Sequence, residues 1–180
     1  MRVLAAAILM AIGTISMTTI SSTQLLYSGQ PTSIRNQPLA GLSLNDVLVS
    51  SKLSREILEM SRWPAGPICI RCKAPNKACR VTSRPGLWTC KACRNCQYTV
   101  TSHTPLHGTR VDIHKWARLF CFRKIWNLSI SCTDLSQHLS VSYLTTRRMI
   151  QKVEEMETVM PMMTERLINN LHTLNQHQEK

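Results

Sequence analysis

The stretch CIRCKAPNKACRVTSRPGLWTCKACRNC, residues 69–96, decides how the chain is read. It opens with a cysteine pair, Cys69 and Cys72, and after seventeen intervening residues brings a second, Cys90 and Cys93. A Cys-x-x-Cys segment turns as a knuckle that aims both sulfurs at one point. Two knuckles facing each other surround that point with four thiolates, the tetrahedral donor set of zinc. The segment is also too small to fold on apolar burial alone. Modules below about 40 residues usually need a metal or disulfides, and structural zinc supplies an apparent free energy of about 10–16 kcal/mol. The expectation is one structural Zn2+ held by Cys69, Cys72, Cys90 and Cys93. Four sulfurs fill the coordination shell and leave no position for a reactive water, so the site reads as structural.

Four other cysteines need placing. Cys96 keeps an alternative open, because Cys93 and Cys96 form a further Cys-x-x-Cys pair that could take over from Cys90 and Cys93. Cys79 falls in the loop between knuckles and reads as a spare thiol. Cys121 and Cys132 sit in helical segments, where a free cysteine behaves as a small buried hydrophobe. A redox dithiol is disfavoured, since two pairs are one too many and a thioredoxin-like context is missing. His103, His107 and His114 are assigned to polar surface rather than to metal.

The charge distribution points outward from this segment. The 180 residues carry a formal charge of +12. From Arg62 to Lys152 there are sixteen lysines and arginines against two acids, Asp112 and Asp134, a balance of +14. The remaining residues hold six basic and eight acidic side chains. A positive field concentrated in this way implies a phosphate backbone as partner.

Along the chain, MRVLAAAILMAIGTISMTTI has one arginine before an apolar run but lacks an A-x-A cleavage pattern. Thr and Ser interrupt its second half, which makes a membrane span poor as well. A natural start at Met10 or Met17 would remove the run, and the expected location is cytoplasmic, with reduced cysteines. An exported chain would instead oxidise them to disulfides. Residues 1–42 read as an apolar N-terminus and a Ser/Gln/Pro-rich linker, flexible or weakly helical. Residues 43–62 read as a lead helix, and 63–104 as a zinc ribbon with turns at APNK and RPG and strands at LWTC and YTVT. Residues 105–156 form a helical domain that begins with DIHKWARLFCFRKIWNL, apolar on one face through Ile113, Trp116, Leu119 and Phe120. Residues 157–180 follow as a helical tail after Pro161. The fold class is α+β.

Within the helical domain, SCTDLSQHLSVSYLTTRRMIQKV has the layout of a helix-turn-helix. Buried positions are expected at Leu135, Leu139, Val141, Leu144, Met149 and Ile150, with Ser142 capping the second helix. Tyr143, Thr145, Thr146, Arg147 and Arg148 then surround that helix's beginning, where such motifs meet base edges and phosphates. An ordinary helical hairpin with a solvated basic end fits the spacing equally well, and the surrounding charge favours DNA.

The run RWPAGPICIRCKAP, GLWTCKACRNCQYTVTSHTP and DIHKWARLF, followed by the helix-turn-helix, resembles the N-terminal region of bacterial insertion-sequence transposases that begin with a zinc ribbon. The resemblance covers Arg62 to about Met156. It implies a DNA partner (element ends or an operator-like site), with full-length transposase or self-association as further partners and no small-molecule substrate. The family's chemistry belongs to a downstream RNase H-type domain with three metal-binding carboxylates. Here Glu154, Glu155, Glu157, Glu165 and Glu179 stand in helical segments, so the expectation is a truncated, non-catalytic protein. A repressor derived from a transposase is the first alternative. The second is a protein-interaction module using Met156, Met160, Met162 and Met163. Three departures from the pattern stand out: His103 and Ser140 occupy positions where the family has Gly, and one extra residue precedes Tyr98.

Overall fold

Ser50 divides the first described segment into two helices. The computed structural model describes residues 42–176, apart from 76, 94 and 95, so the apolar N-terminal run lies outside the described residues. α1 covers Leu44–Val49, with the Ser43 hydroxyl accepting from the Asn45 N–H. α2 covers Ser51–Arg62, with the Ser50 hydroxyl accepting from the Leu53 N–H. Ser50 itself is extended at φ −105°, ψ 113°, so the stretch read as one lead helix is broken where a side chain captures a helix-start donor. Leu44, Val47, Ile57 and Leu58 are buried along these two helices.

After α2, Pro64 and Pro67 prevent continuation and the chain enters the ribbon. Three short strands pair antiparallel in the order β1 (Ala78–Arg80), β2 (Leu87–Cys90), β3 (Cys96–Thr99). β1 was not expected. Cys79 lies in it opposite Thr89 rather than in a loop. β3 begins two residues before the expected YTVT, which sets Cys96 opposite Cys90 and Tyr98 opposite Trp88. Gly86, at φ +81°, closes the β1–β2 turn against the Arg55 side chain, where any Cβ would collide.

The helical part follows. α3 is Ile113–Phe120, continued by a π-helical turn over Cys121–Ile125 in which the Trp126 N–H reaches the Cys121 carbonyl. α4 is Cys132–Leu139, α5 Tyr143–Val159 and α6 Pro161–Gln176. The C-terminal segment is no loose tail. Leu167, Leu171 and Leu174 of α6 are buried, Asn170 Nδ2 donates to Ser61 Oγ of α2 at 3.0 Å, and Trp126 Nε1 donates to Asn175 Oδ1 at 3.3 Å. One apolar core thus ties α1, α2 and α6 to α3, α4 and α5. Among the described residues, no helix is long and apolar enough to cross a membrane.

Candidate metal centre and nucleic-acid face

Between α2 and the knuckles, aromatic rings set the ribbon on the helices. Trp63 meets Trp88 of β2 edge-on at 6.3 Å and Tyr98 of β3 at 5.9 Å. Glu59 of α2, almost fully buried, accepts from Trp88 Nε1 at 3.1 Å and from Arg80 of β1 at 3.0 Å. Burial raises its carboxyl pKa, and Arg80 and the Trp88 N–H work against that rise. A buried charge that meets both β1 and β2 fixes the sheet against the helix. Losing this acceptor would strand the Trp88 N–H out of reach of water, at a cost of about 1–3 kcal/mol.

At the far end of the strands the four sulfurs of Cys69, Cys72, Cys90 and Cys93 lie within 4.8 Å of one another. Cys69 and Cys93 are 4.0 Å apart, and Cys72 and Cys90 are 3.7 Å apart. Zinc–thiolate bonds of about 2.3 Å arranged tetrahedrally give sulfur–sulfur edges of about 3.8 Å. The donor set therefore fits zinc in chemistry and in size. First-knuckle geometry comes from the Lys73 N–H closing onto the Cys69 carbonyl, with Lys73 left-handed at φ 56°. The second knuckle leaves the end of β2 at Cys90 and returns into β3 at Cys96.

Burial pushes the Cys69 thiol up, but the N–H groups of Cys72 and Arg71 and the neighbouring thiols favour its thiolate and bring it down to about 6. Cys93, whose thiol is held by Cys72 and partly desolvated, is pushed up to about 12. Desolvation also raises Cys90 and Cys96. Four close sulfurs cannot all hold charge without a cation between them.

The remaining cysteines divide. Cys121 is buried in the π-helical turn, and desolvation pushes its thiol up to about 12, the environment of an inert core thiol. Cys132 opens α4 half-buried. His103 and His107 are exposed, whereas His114 is half-buried with Nδ1 2.9 Å from Ser51 Oγ, a helix-packing contact.

The other sequence-predicted site lies across α4 and α5. α4 ends on Ser140 in the left-handed region, and α5 starts with Ser142 accepting from the Thr145 N–H. Leu135, Leu139 and Met149 are buried as expected. Two expectations are corrected. Leu144 is 55% exposed rather than core, and Thr146 is 0% exposed, its hydroxyl donating to the Ser142 carbonyl. Thr146 sits on the inner side of the first turn and packs there, so it leaves the contact set. Tyr143, Arg147 and Arg148 are exposed and Thr145 is half-exposed.

A short sheet on a helical lead, closed by four clustered sulfurs, defines a zinc ribbon. Residues 51–96, from the start of α2 to the first residue of β3, match the family described as transposase zinc-ribbon domain. Over Arg62–Cys96 the match bears out the resemblance read from the sequence. No curated protein and no solved structure matches the chain.

Proposed function

We propose that this chain is a zinc-dependent DNA-binding protein, the recognition part of an insertion-sequence transposase, acting in the cytoplasm without strand-cleavage chemistry of its own. One structural Zn2+ on Cys69, Cys72, Cys90 and Cys93 holds the ribbon. α5 presents Tyr143, Thr145, Arg147 and Arg148 to DNA, with the arginines suited to guanine or phosphate. The observation that carries this reading is the disposition of charge. No acid occurs from residue 60 to residue 111, and both α5 arginines are exposed and, among the described residues, make no side-chain hydrogen bond or ion pair.

A repressor occupying the same DNA would use the same face and is included in this reading. The protein-interaction alternative is weaker. Met156 and Met163, expected to meet a partner, are buried in the chain's own core, leaving Met162 exposed.

The test is retention of labelled duplex DNA by the full chain, zinc-loaded, against Arg147→Ala/Arg148→Ala and against chelator-treated protein. Retention lost in the double variant, at unchanged zinc content and helicity, supports the reading. Retention equal to wild type in the folded double variant overturns the role of α5, and no retention by zinc-loaded wild type overturns the function.

A further inference from the structure

The ribbon brings five sulfurs, not four, to one end. Cys96 Sγ stands 3.9 Å from Cys69 Sγ, and Cys93 Sγ stands 4.0 Å from the same atom. Each separation is one edge of a zinc–thiolate tetrahedron, about 3.8 Å. The two sulfurs reach this position by different routes. Cys93 lies in the turn after β2, three residues beyond the strand end at Cys90. Cys96 is the first residue of β3 and is held by the ladder directly opposite Cys90. Its N–H also donates to the Cys93 carbonyl at 3.3 Å.

From these placements we infer that Cys93 and Cys96 are interchangeable as the fourth zinc ligand, with Cys69, Cys72 and Cys90 as the fixed three. The inference rests on the zinc reading above and extends it to a residue outside the four-sulfur set. The alternative open in the sequence had Cys96 displacing Cys90. The structure argues for a different exchange, because Cys90 lies 3.7 Å from Cys72 and anchors the far side of the cluster. Zinc imposes no geometry from d-electrons, so it can accept either thiolate as its fourth ligand. The ion stays bound throughout, and each exchange swaps a proton between the two thiols.

Such a site keeps its metal when one of the pair is lost. The test uses the full chain carrying Cys93→Ser, Cys96→Ser, both together, and Cys90→Ser as reference. Readouts are bound zinc per chain and the visible spectrum of the cobalt-substituted protein, which distinguishes four thiolate ligands from three. Each single variant of the pair is expected to keep about one zinc and the four-thiolate spectrum, while the double variant and Cys90→Ser change to three-thiolate spectra. A three-thiolate spectrum for Cys93→Ser alone, with Cys96→Ser like wild type, overturns the exchange and leaves the zinc reading intact. The reverse outcome assigns Cys96 as the sole fourth ligand and also overturns it. Wild type that takes up neither zinc nor cobalt overturns both.

Discussion

Ser140 holds φ 49° and ψ 53° at the end of α4, a conformation that costs an L-residue about 1–2 kcal/mol. The turn imposes it. The Ser140 N–H is drawn back to the carbonyls of Gln137 and Ser136, and the Ser140 carbonyl accepts from Lys115 Nζ of α3. Glycine would remove the Cβ clash but gives back about 0.5–1 kcal/mol in unfolded-chain entropy. Ser140→Gly should therefore stabilise the fold by about 0.5–1 kcal/mol and raise Tm by about 2–4 °C, read in thermal melts of the zinc-loaded protein. A lower Tm would mean the residue is not strained. Ser140 and His103, the two positions where the resemblance sets glycine, are both left-handed, His103 at φ 56°. Lys73 and Asn127 are left-handed too and carry no such signal. Thr146 was misplaced for a related reason. A threonine beside two arginines looks exposed, and only the packing of α5 on α4 turns that position inward.

At the scale of elements, the ribbon cannot support itself. Its strands are three, four and four residues long, and its apolar content is a few rings and Val100. The zinc ion would supply what burial does not. Stripping zinc with a chelator should abolish the near-ultraviolet signal of Trp88 and Tyr98 while α5 and α6, packed through Met156 and Leu171, keep their helicity. Simultaneous loss of both signals would show instead that ribbon and helices unfold as one unit. The pKa pattern gives the pH sign. Without metal, Cys93 is pushed up to about 12 and Cys90 is raised, so both carry protons at neutral pH that zinc must expel. Affinity then rises with pH, by about 10-fold per unit for each proton displaced, and acidification releases the ion. Competition with a chelator of known affinity between pH 6 and 8 measures this, and a flat profile would contradict it. The elements legible in advance were those with a local signature: the knuckles, the Ser142 cap and the LWTC strand. The break at Ser50, strand β1 and the π-helical turn were not legible. Each depends on a partner distant in sequence or on one serine serving the following helix instead of the preceding one.

For the whole molecule, the question is how much of the basic charge is available to a partner. Of the sixteen basic residues from Arg62 to Lys152, several are already engaged within the fold. Arg80 pairs with Glu59, Arg123 with Glu154 and Lys124 with Glu157. Arg62, Lys115, Arg118 and Lys152 donate to the carbonyls of Val100, Ser140, Leu48 and Pro105. Among the described residues of this stretch, the exposed cations without such bonds are Arg147 and Arg148 on α5, Arg110, and on the ribbon Arg71, Lys73, Lys77, Arg84 and Lys91. Counterion release converts this division into a measurable slope, because log K falls against log salt by about 0.9 per phosphate neutralised. Binding through α5 alone predicts a slope of about −2, and recruitment of all these cations predicts about −7. Because the ribbon lacks any acid to offset the five free cations among its described residues, we expect a slope clearly steeper than −2, by about three or more. Arg147→Ala/Arg148→Ala should make it shallower by about 2, and Lys73→Ala/Lys77→Ala/Lys91→Ala by about 3. Titrations of one duplex at several salt concentrations decide the matter. A slope near −2 that the lysine variants leave unchanged would confine contact to the helix, and a slope near zero would remove phosphate binding from the function altogether.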